Sequence, residues 1–226
     1  MGRLICFDIE TTGFEYMRGD RCIDIGAVEI VDGKITGNEF HEYVNPEGKI
    51  IPPDTYMVHK ISNAFLEDKP LMSEVAPRFL AFVGDSPIMA HNGSDFDFPF
   101  INHELKRVNL PEIPISQQMD SMVIARTRLY GPKSYSLDAL AKWFGISLSE
   151  RADAHGALVD ARLLANVYLE LENTARPRPV SELMDEYHEK MLKHPKIGGD
   201  FPYRTFPAPD ADVAAHQEFI KTIRGE

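Results

Sequence analysis

Asp8 and Glu10 stand one residue apart in the opening run R-L-I-C-F-D-I-E-T-T-G. Side chains alternate faces along a strand, so acids spaced this way share a face and can reach one point. Leu4, Ile5, Cys6, Phe7 and Ile9 make the run apolar enough for a buried central strand, which Thr11, Thr12 and Gly13 break with turn chemistry. Carboxylates at the end of such a strand need a partner, because a desolvated charge is costly unless paired or metal-bound. By itself a D-x-E pair does not choose between a metal site and plain surface acids.

Two later segments supply company. A-H-N-G-S-D-F-D-F-P-F-I (Ala90 to Ile101) follows the short apolar run Pro87, Ile88, Met89, Ala90, and reads as a strand end, a polar turn and a Phe-rich helix carrying Asp95 and Asp97. Further on, R-A-D-A-H-G-A-L-V-D-A-R-L-L-A offers His155 and Asp160. Residues five apart lie about 140° from each other around a helix, so both reach one point only if His155 precedes the helix and Asp160 sits in its early turns. Leu158, Ala161, Leu164, Ala165, Tyr168 and Leu171 form an apolar stripe at helical spacing, as that arrangement requires.

The three motifs together resemble the DEDDh superfamily of 3′→5′ exonucleases, within the ribonuclease H-like fold. The runs I-G-A-V-E-I, D-G-K-I-T-G-N-E-F-H, V-H-K-I, S-L-D-A-L and A-H-G-A-L-V-D-A bring the likeness nearest to the proofreading epsilon subunits of bacterial DNA polymerase III, over about residues 3–172. The resemblance implies Asp8, Glu10, Asp97 and Asp160 as metal ligands and His155 as general base. It also implies a DNA 3′ end, single-stranded or frayed, as substrate. One departure bears on the third ligand: three residues (Gly93, Ser94, Asp95) separate H-N from F-D, where the family usually has two. The ligand role carries over to Asp97, preceded by Phe96, and Asp95 is expected as a turn or N-cap acid.

Four converging carboxylates would be neutralised by two divalent cations. Ions about 3.5–4 Å apart activate the attacking water and stabilise the leaving 3′ oxygen together. All-oxygen ligands suit Mg²⁺ or Mn²⁺ better than zinc, and a histidine titrating near neutrality suits His155 as base. By the same resemblance, Asp54 and His59 in I-I-P-P-D-T-Y-M-V-H-K-I (Ile50 to Ile61) fall where epsilon subunits contact the terminal nucleotide, Asp54 standing in place of Glu. Glu10 is expected to touch substrate as well, and Tyr56, Met57, Val58 and Ile61 to wedge against the terminal base. The competing reading of this segment is a loop with a core-facing apolar anchor and a solvated His59. Asn92 is expected to support the turn before Asp97.

Composition narrows the partners. The formal net charge is −11, and residues 1–174 hold 16 Lys and Arg against 26 Asp and Glu. Without a basic cluster, affinity for free DNA should be weak and metal-dependent, which fits a nuclease handed its substrate by a polymerase. The alternative is a free-standing 3′ exonuclease trimming RNA or single-stranded DNA, towards which the H-N-G-S-D-F-D-F-P spelling leans. Cys6 and Cys22 are too few for a disulfide framework. No leader precedes the first strand and no apolar run is long enough to span a membrane, so a soluble cytoplasmic protein is expected.

The elements that must position these residues follow from pattern. Strands are expected near 3–9, 22–31 and 34–44, with Asp32-Gly33 turning a hairpin between the latter two, and near 87–91 and 116–120. Helices are expected near 73–83, 96–108, 120–129, 136–144 and 156–172, with Ser136 capping one and Gly145 ending it. The layout predicts an α/β fold: a mixed five-stranded sheet, three antiparallel strands then parallel ones, with helices on both faces. Residues 1–174 form the expected exonuclease domain. Residues 175–226 hold six of the 16 prolines, then a helical segment with Val213, Phe219, Ile220 and Ile223 as its apolar stripe. P-D-A-D-V-A-A-H-Q-E-F-I resembles the segment through which epsilon subunits bind the polymerase III alpha subunit, and packing back on the exonuclease domain, or disorder, is the alternative.

Overall fold

The computed structural model describes residues 2–151 and 156–174; His155 and residues 175–226, with the expected tail, lie outside the described residues. In chain order the strands and helices are β1 (Arg3–Thr11), β2 (Cys22–Val31), β3 (Lys34–Tyr43), α1 (Pro53–His59), α2 (Asn63–Leu66), α3 (Met72–Val83), β4 (Ile88–Ala90), α4 (Asp97–Arg107), β5 (Gln118–Asp120), α5 (Ser121–Arg128), α6 (Leu137–Phe144) and α7 (Ala157–Asn173). Short 3-10 turns occupy Tyr16–Arg18 and Ser149–Arg151.

The sheet order is β3-β2-β1-β4-β5. β1 pairs antiparallel with β2 and parallel with β4, and β5 runs parallel to β4. Its central place explains why β1 is apolar on both faces. Ile5, Phe7 and Ile9 face α3 and α4 through Phe79, Phe98 and Phe100. Leu4 and Cys6 face α5, α6 and α7 through Ala125, Leu140, Ala161 and Leu164. Asp8 and Glu10 continue the Leu4–Cys6 face, so they emerge beneath α7. Asp32 and Gly33 turn the β2–β3 hairpin with φ of 48° and 76°, the left-handed pair that matches strand twist.

The expected helices are present, and α7 buries more than its predicted stripe. Leu163 and Val167 are buried as well, because α7 packs on the sheet and also against α5 and α6. Ser136 caps α6 by accepting the Ala139 N–H, and Gly145 ends it at φ 71°. The segment 50–61, where pattern predicts neither strand nor helix, contains α1, which begins at Pro53, where a missing N–H costs nothing. At seven and four residues, α1 and α2 are too short to display a helical period. Ile61, expected in the wedge, is instead buried with Ile23, Ile51 and Leu66 in a small satellite core.

Two contacts bring the start of α7 onto the sheet. A Cβ on Gly26 would lie 2.1 Å from the Leu158 nitrogen and 2.2 Å from the Ala157 carbonyl carbon, so only glycine lets the helix rest directly on β2. Beside it, buried Asp24 accepts the Ala157 N–H at 3.1 Å through Oδ2, while its Oδ1 lies 3.0 Å from His41 Nε2. Arg162 then grips Glu39 of β3 with two hydrogen bonds. Gly26→Ala should lift the start of α7 and cost roughly 1–3 kcal/mol or more. Urea unfolding checks this, and an unchanged midpoint would show that the helix start has room to move.

Candidate active site

The acids meet where the parallel strands β1, β4 and β5 end, the usual place for a crevice in an open α/β sheet. Asp8 and Glu10 are half-buried on β1. Asp160 sits in the first turn of α7 and is buried. One carboxylate oxygen from each of these three lies within 4.8 Å of the others, a spacing able to hold a metal ion. Asp97 opens α4 on the other face of the sheet, is 3% exposed, and lines the same groove. Its Oδ1 is buried without a hydrogen-bond partner.

Charge records the same convergence. Burial pushes Asp8 well above the ordinary carboxylate range, and Asp97, Glu10 and Asp160 push it further. Glu10 is raised to about 8 by burial, then by the charges of Asp160 and Asp24. Asp97 reaches about 7, driven by burial and by Asp120 and Asp160, while backbone N–H groups at Asp97 and Ile9 pull the other way. Hard oxygen ligands, an orphaned buried oxygen and mutually raised acids are what a divalent cation would relieve. The donor set fits such an ion.

Asp120, which the sequence reading passed over, builds the turn before Asp97. It ends β5 and accepts N–H groups from Asn92, Ser94, Met122 and Val123. Asn92 takes φ 59°, lines the groove and starts the turn. A Cβ on Gly93 would fall 2.4 Å from the Ala90 Cβ, so the chain is tight there. Asp95 is exposed in the turn, one of the two places expected for it; the other, the N-cap, belongs to Phe96, whose side chain makes no cap bond. His91 spans Ser121 Oγ at 2.8 Å and the Tyr135 carbonyl at 2.9 Å, joining β4 to the α5 start and the loop before α6.

The groove has two further features that spacing did not reveal. Phe14, 80% exposed, follows the T-T-G turn and meets Phe96 at 5.8 Å between ring centroids. Arg151 contacts Asp160 through Nε at 2.5 Å and Nη2 at 2.9 Å, and also touches Asp138. An exposed aromatic just after a turn and an Arg four residues before His155 were the available signals. Asp54 and His59 do not line this groove. Asp54 is exposed in the first turn of α1. His59 is buried, accepts the Ile61 N–H at 3.0 Å through Nδ1, and burial lowers its pKa. Among the described residues, no helix is long and apolar enough to cross a membrane.

A family model described as "Exonuclease" matches residues 5–168. The chain is 46% identical over 172 residues to DNA polymerase III subunit epsilon of Rickettsia felis, covering 75% of this chain and 73% of that protein. It is 45% identical over 230 residues to the Rickettsia typhi protein of the same name, covering 98% and 96%. The Escherichia coli K12 counterpart is 39% identical over 175 residues, covering 74% and 70%. Among solved structures, exonuclease X in complex with 5′ overhanging duplex DNA matches with 31% identity and a TM-score of 0.57, over 76% of this chain and 92% of that one. Exonuclease I matches with a TM-score of 0.66 at 18% identity, over 85% and 46%, a likeness of fold.

The raised acids give the ion-free protein a pH dependence of definite sign. Folded Glu10 and Asp97 hold protons that their unfolded counterparts release near pH 4. Their contribution is therefore complete below that range and is lost as pH rises through about 7 and 8. In chelator the melting temperature should fall by several degrees between pH 5.5 and 8.5, and Glu10→Gln should flatten the slope. A melting temperature that rises with pH in chelator would contradict the mutual-repulsion account.

Proposed function

The chain belongs to the exonuclease family, among the DNA polymerase III epsilon subunits, and from that premise we propose how its residues perform 3′→5′ proofreading. Asp8, Glu10, Asp97 and Asp160 hold two divalent cations, Mg²⁺ or Mn²⁺. The observation that carries this reading is the meeting of Asp8, Glu10 and Asp160 within 4.8 Å beside an orphaned Asp97 oxygen. When bound, such ions make water nucleophilic at neutral pH and stabilise charge on the leaving oxygen.

The chain's own residues do the rest. Asp97 and Asp160 approach from opposite faces of the sheet, so the terminal phosphodiester enters at the end of β1. His155 takes the proton of the attacking water. The water oxygen bonds to phosphorus, the bond to the penultimate 3′ oxygen breaks, and that oxygen leaves as an alkoxide that takes a proton from solvent water, releasing a nucleoside 5′-monophosphate. Phe14, with Phe96 behind it, offers a π-face to the terminal base, a contact that tolerates every base. Asp54 and His59 meet the terminal nucleotide from outside the groove lining. Residues 1–174 form the nuclease domain, and residues 175–226 bind the polymerase alpha subunit. The 98% coverage of this chain by the R. typhi alignment supports treating that segment as part of an epsilon-type protein.

A 5′-labelled single-stranded DNA should shorten stepwise from its 3′ end in Mg²⁺ and stay intact in chelator, with RNA of the same sequence degraded more slowly. Faster loss of RNA would favour the free-standing trimming enzyme. Asp97→Ala should lower kcat by about 10³-fold or more, the scale of losing a transition-state electrostatic contact, while Asp95→Ala stays within a few-fold. His155→Ala should retain metal and DNA binding and lose most of kcat; near-normal turnover would reject it as the base. In the full chain, Phe219→Asp with Ile220→Asp should abolish copurification with the alpha subunit and leave nuclease activity on free oligonucleotides unchanged. Retained copurification would remove the tail from the interface.

A further inference from the structure

Arg151 is the basic side chain in a groove otherwise lined by acids, apolar groups and neutral polar groups, among the described residues. His91 also lines the groove, and burial lowers its pKa. The Arg151 side chain is 13% exposed, and its guanidinium spans Asp160, which is buried, and Asp138, which is 43% exposed on the first turn of α6. It therefore reaches from the ion-holding acids to the rim. Its charge is also felt by Asp8 and Glu10.

The account of charges makes this position informative. Four carboxylates balance two divalent cations, so once Asp160 gives its oxygens to a cation it has no charge left for a guanidinium. Arg151 keeps Asp138 at the rim and still borders the groove that a phosphodiester must enter to meet the acids. A phosphodiester carries one negative charge, and the planar fork of an arginine matches its oxygens in a way a lysine ammonium cannot. The remaining surface offers little other attraction for phosphate, the described domain being acidic overall.

We propose that Arg151 is a substrate-binding residue for the phosphate at the 3′ end: Asp160 and Asp138 hold it in the ion-free site, and Asp160 surrenders it when it binds metal. This rests on the reading of Asp160 as a metal ligand. It predicts a contact to DNA that exists only in the loaded protein, which a purely structural ion pair would not make.

The test is fluorescence anisotropy of a labelled oligothymidylate with the full chain, in Ca²⁺ as a non-turnover ion and in chelator. Arg151→Met should bind about tenfold more weakly than wild type in Ca²⁺, in line with losing one good charged contact. The slope of log Kd against log salt should fall by about one phosphate contact. Arg151→Lys should recover part of the affinity, and in chelator all three proteins should bind equally weakly. Asp138→Asn removes the competing acid at the rim and should tighten Ca²⁺-dependent binding, which keeps the idea testable should Arg151→Met fold poorly. Equal affinity and slope for wild type and Arg151→Met in Ca²⁺ would overturn the proposal, as would an equal loss in chelator or no gain in Asp138→Asn. Mn²⁺ titration of Arg151→Met should give binding at least as tight as wild type. If wild type itself binds the oligonucleotide no better in Ca²⁺ than in chelator, the metal reading beneath the proposal fails.

Discussion

Like charges held together out of water are the constraint around which this molecule is arranged. Other buried acids in the described residues have basic or N–H partners close by. Glu104 is gripped by Arg21 and Arg107, and Asp24 by His41 and the Ala157 N–H. Asp8, Glu10 and Asp97 share one groove in which Arg151 supplies the local positive charge, and their proton affinities rise accordingly. Such an arrangement survives only if rigid elements hold each acid in place, because the acids themselves would separate.

That rigidity comes from both faces of the sheet. On one, Gly26 and Asp24 seat the first turn of α7 so that Asp160 hangs over Asp8 and Glu10. On the other, Asp120 collects four N–H groups and sets the turn that delivers Asp97. Farther back, Arg21 binds Glu104 and Glu47 while Arg107 binds the same two acids, fastening α4 to the start of β2. The two helices that carry Asp97 and Asp160 in their first turns point their N-termini at the groove. Each helix dipole favours a nearby carboxylate by about 0.3–1 kcal/mol, which softens the repulsion without removing it. A divalent cation is the natural remainder of this balance.

Much of the fold was legible because strong local patterns coincide with the final structure. Alternation placed β1 to β3, Asp32-Gly33 placed the hairpin, and the α7 stripe placed its inner face. The acids that meet in the groove were legible for the same reason: Asp8 and Glu10 share a strand face, and Asp160 occupies an early helical turn. What stayed hidden acts through backbone atoms or across long separations. Asp24 and Asp120 look like ordinary strand-end acids until the N–H groups they accept are visible. Arg151 looks like a loop arginine until the fold closes it against Asp138 and Asp160. Short α1 lacks the length to show a period, and the Ile61 expected against a base turned out to anchor a small core.

The sequence alone determined which side chains share a face of each element, since strand and helix periods are properties of the local backbone. From those periods followed the acids of β1, the early-turn aspartate of α7 and the sheet with helices on both sides. Only the tertiary structure decided that the acids of β1 and α7 meet and that Asp97 of α4 lines the same groove, with Phe14 at the rim and Arg151 between groove and solvent. That decision rests on how closely α7 can lie upon β2 and how tightly the turn before α4 is drawn to β5. Those distances depend on packing across the sheet, which no local period encodes.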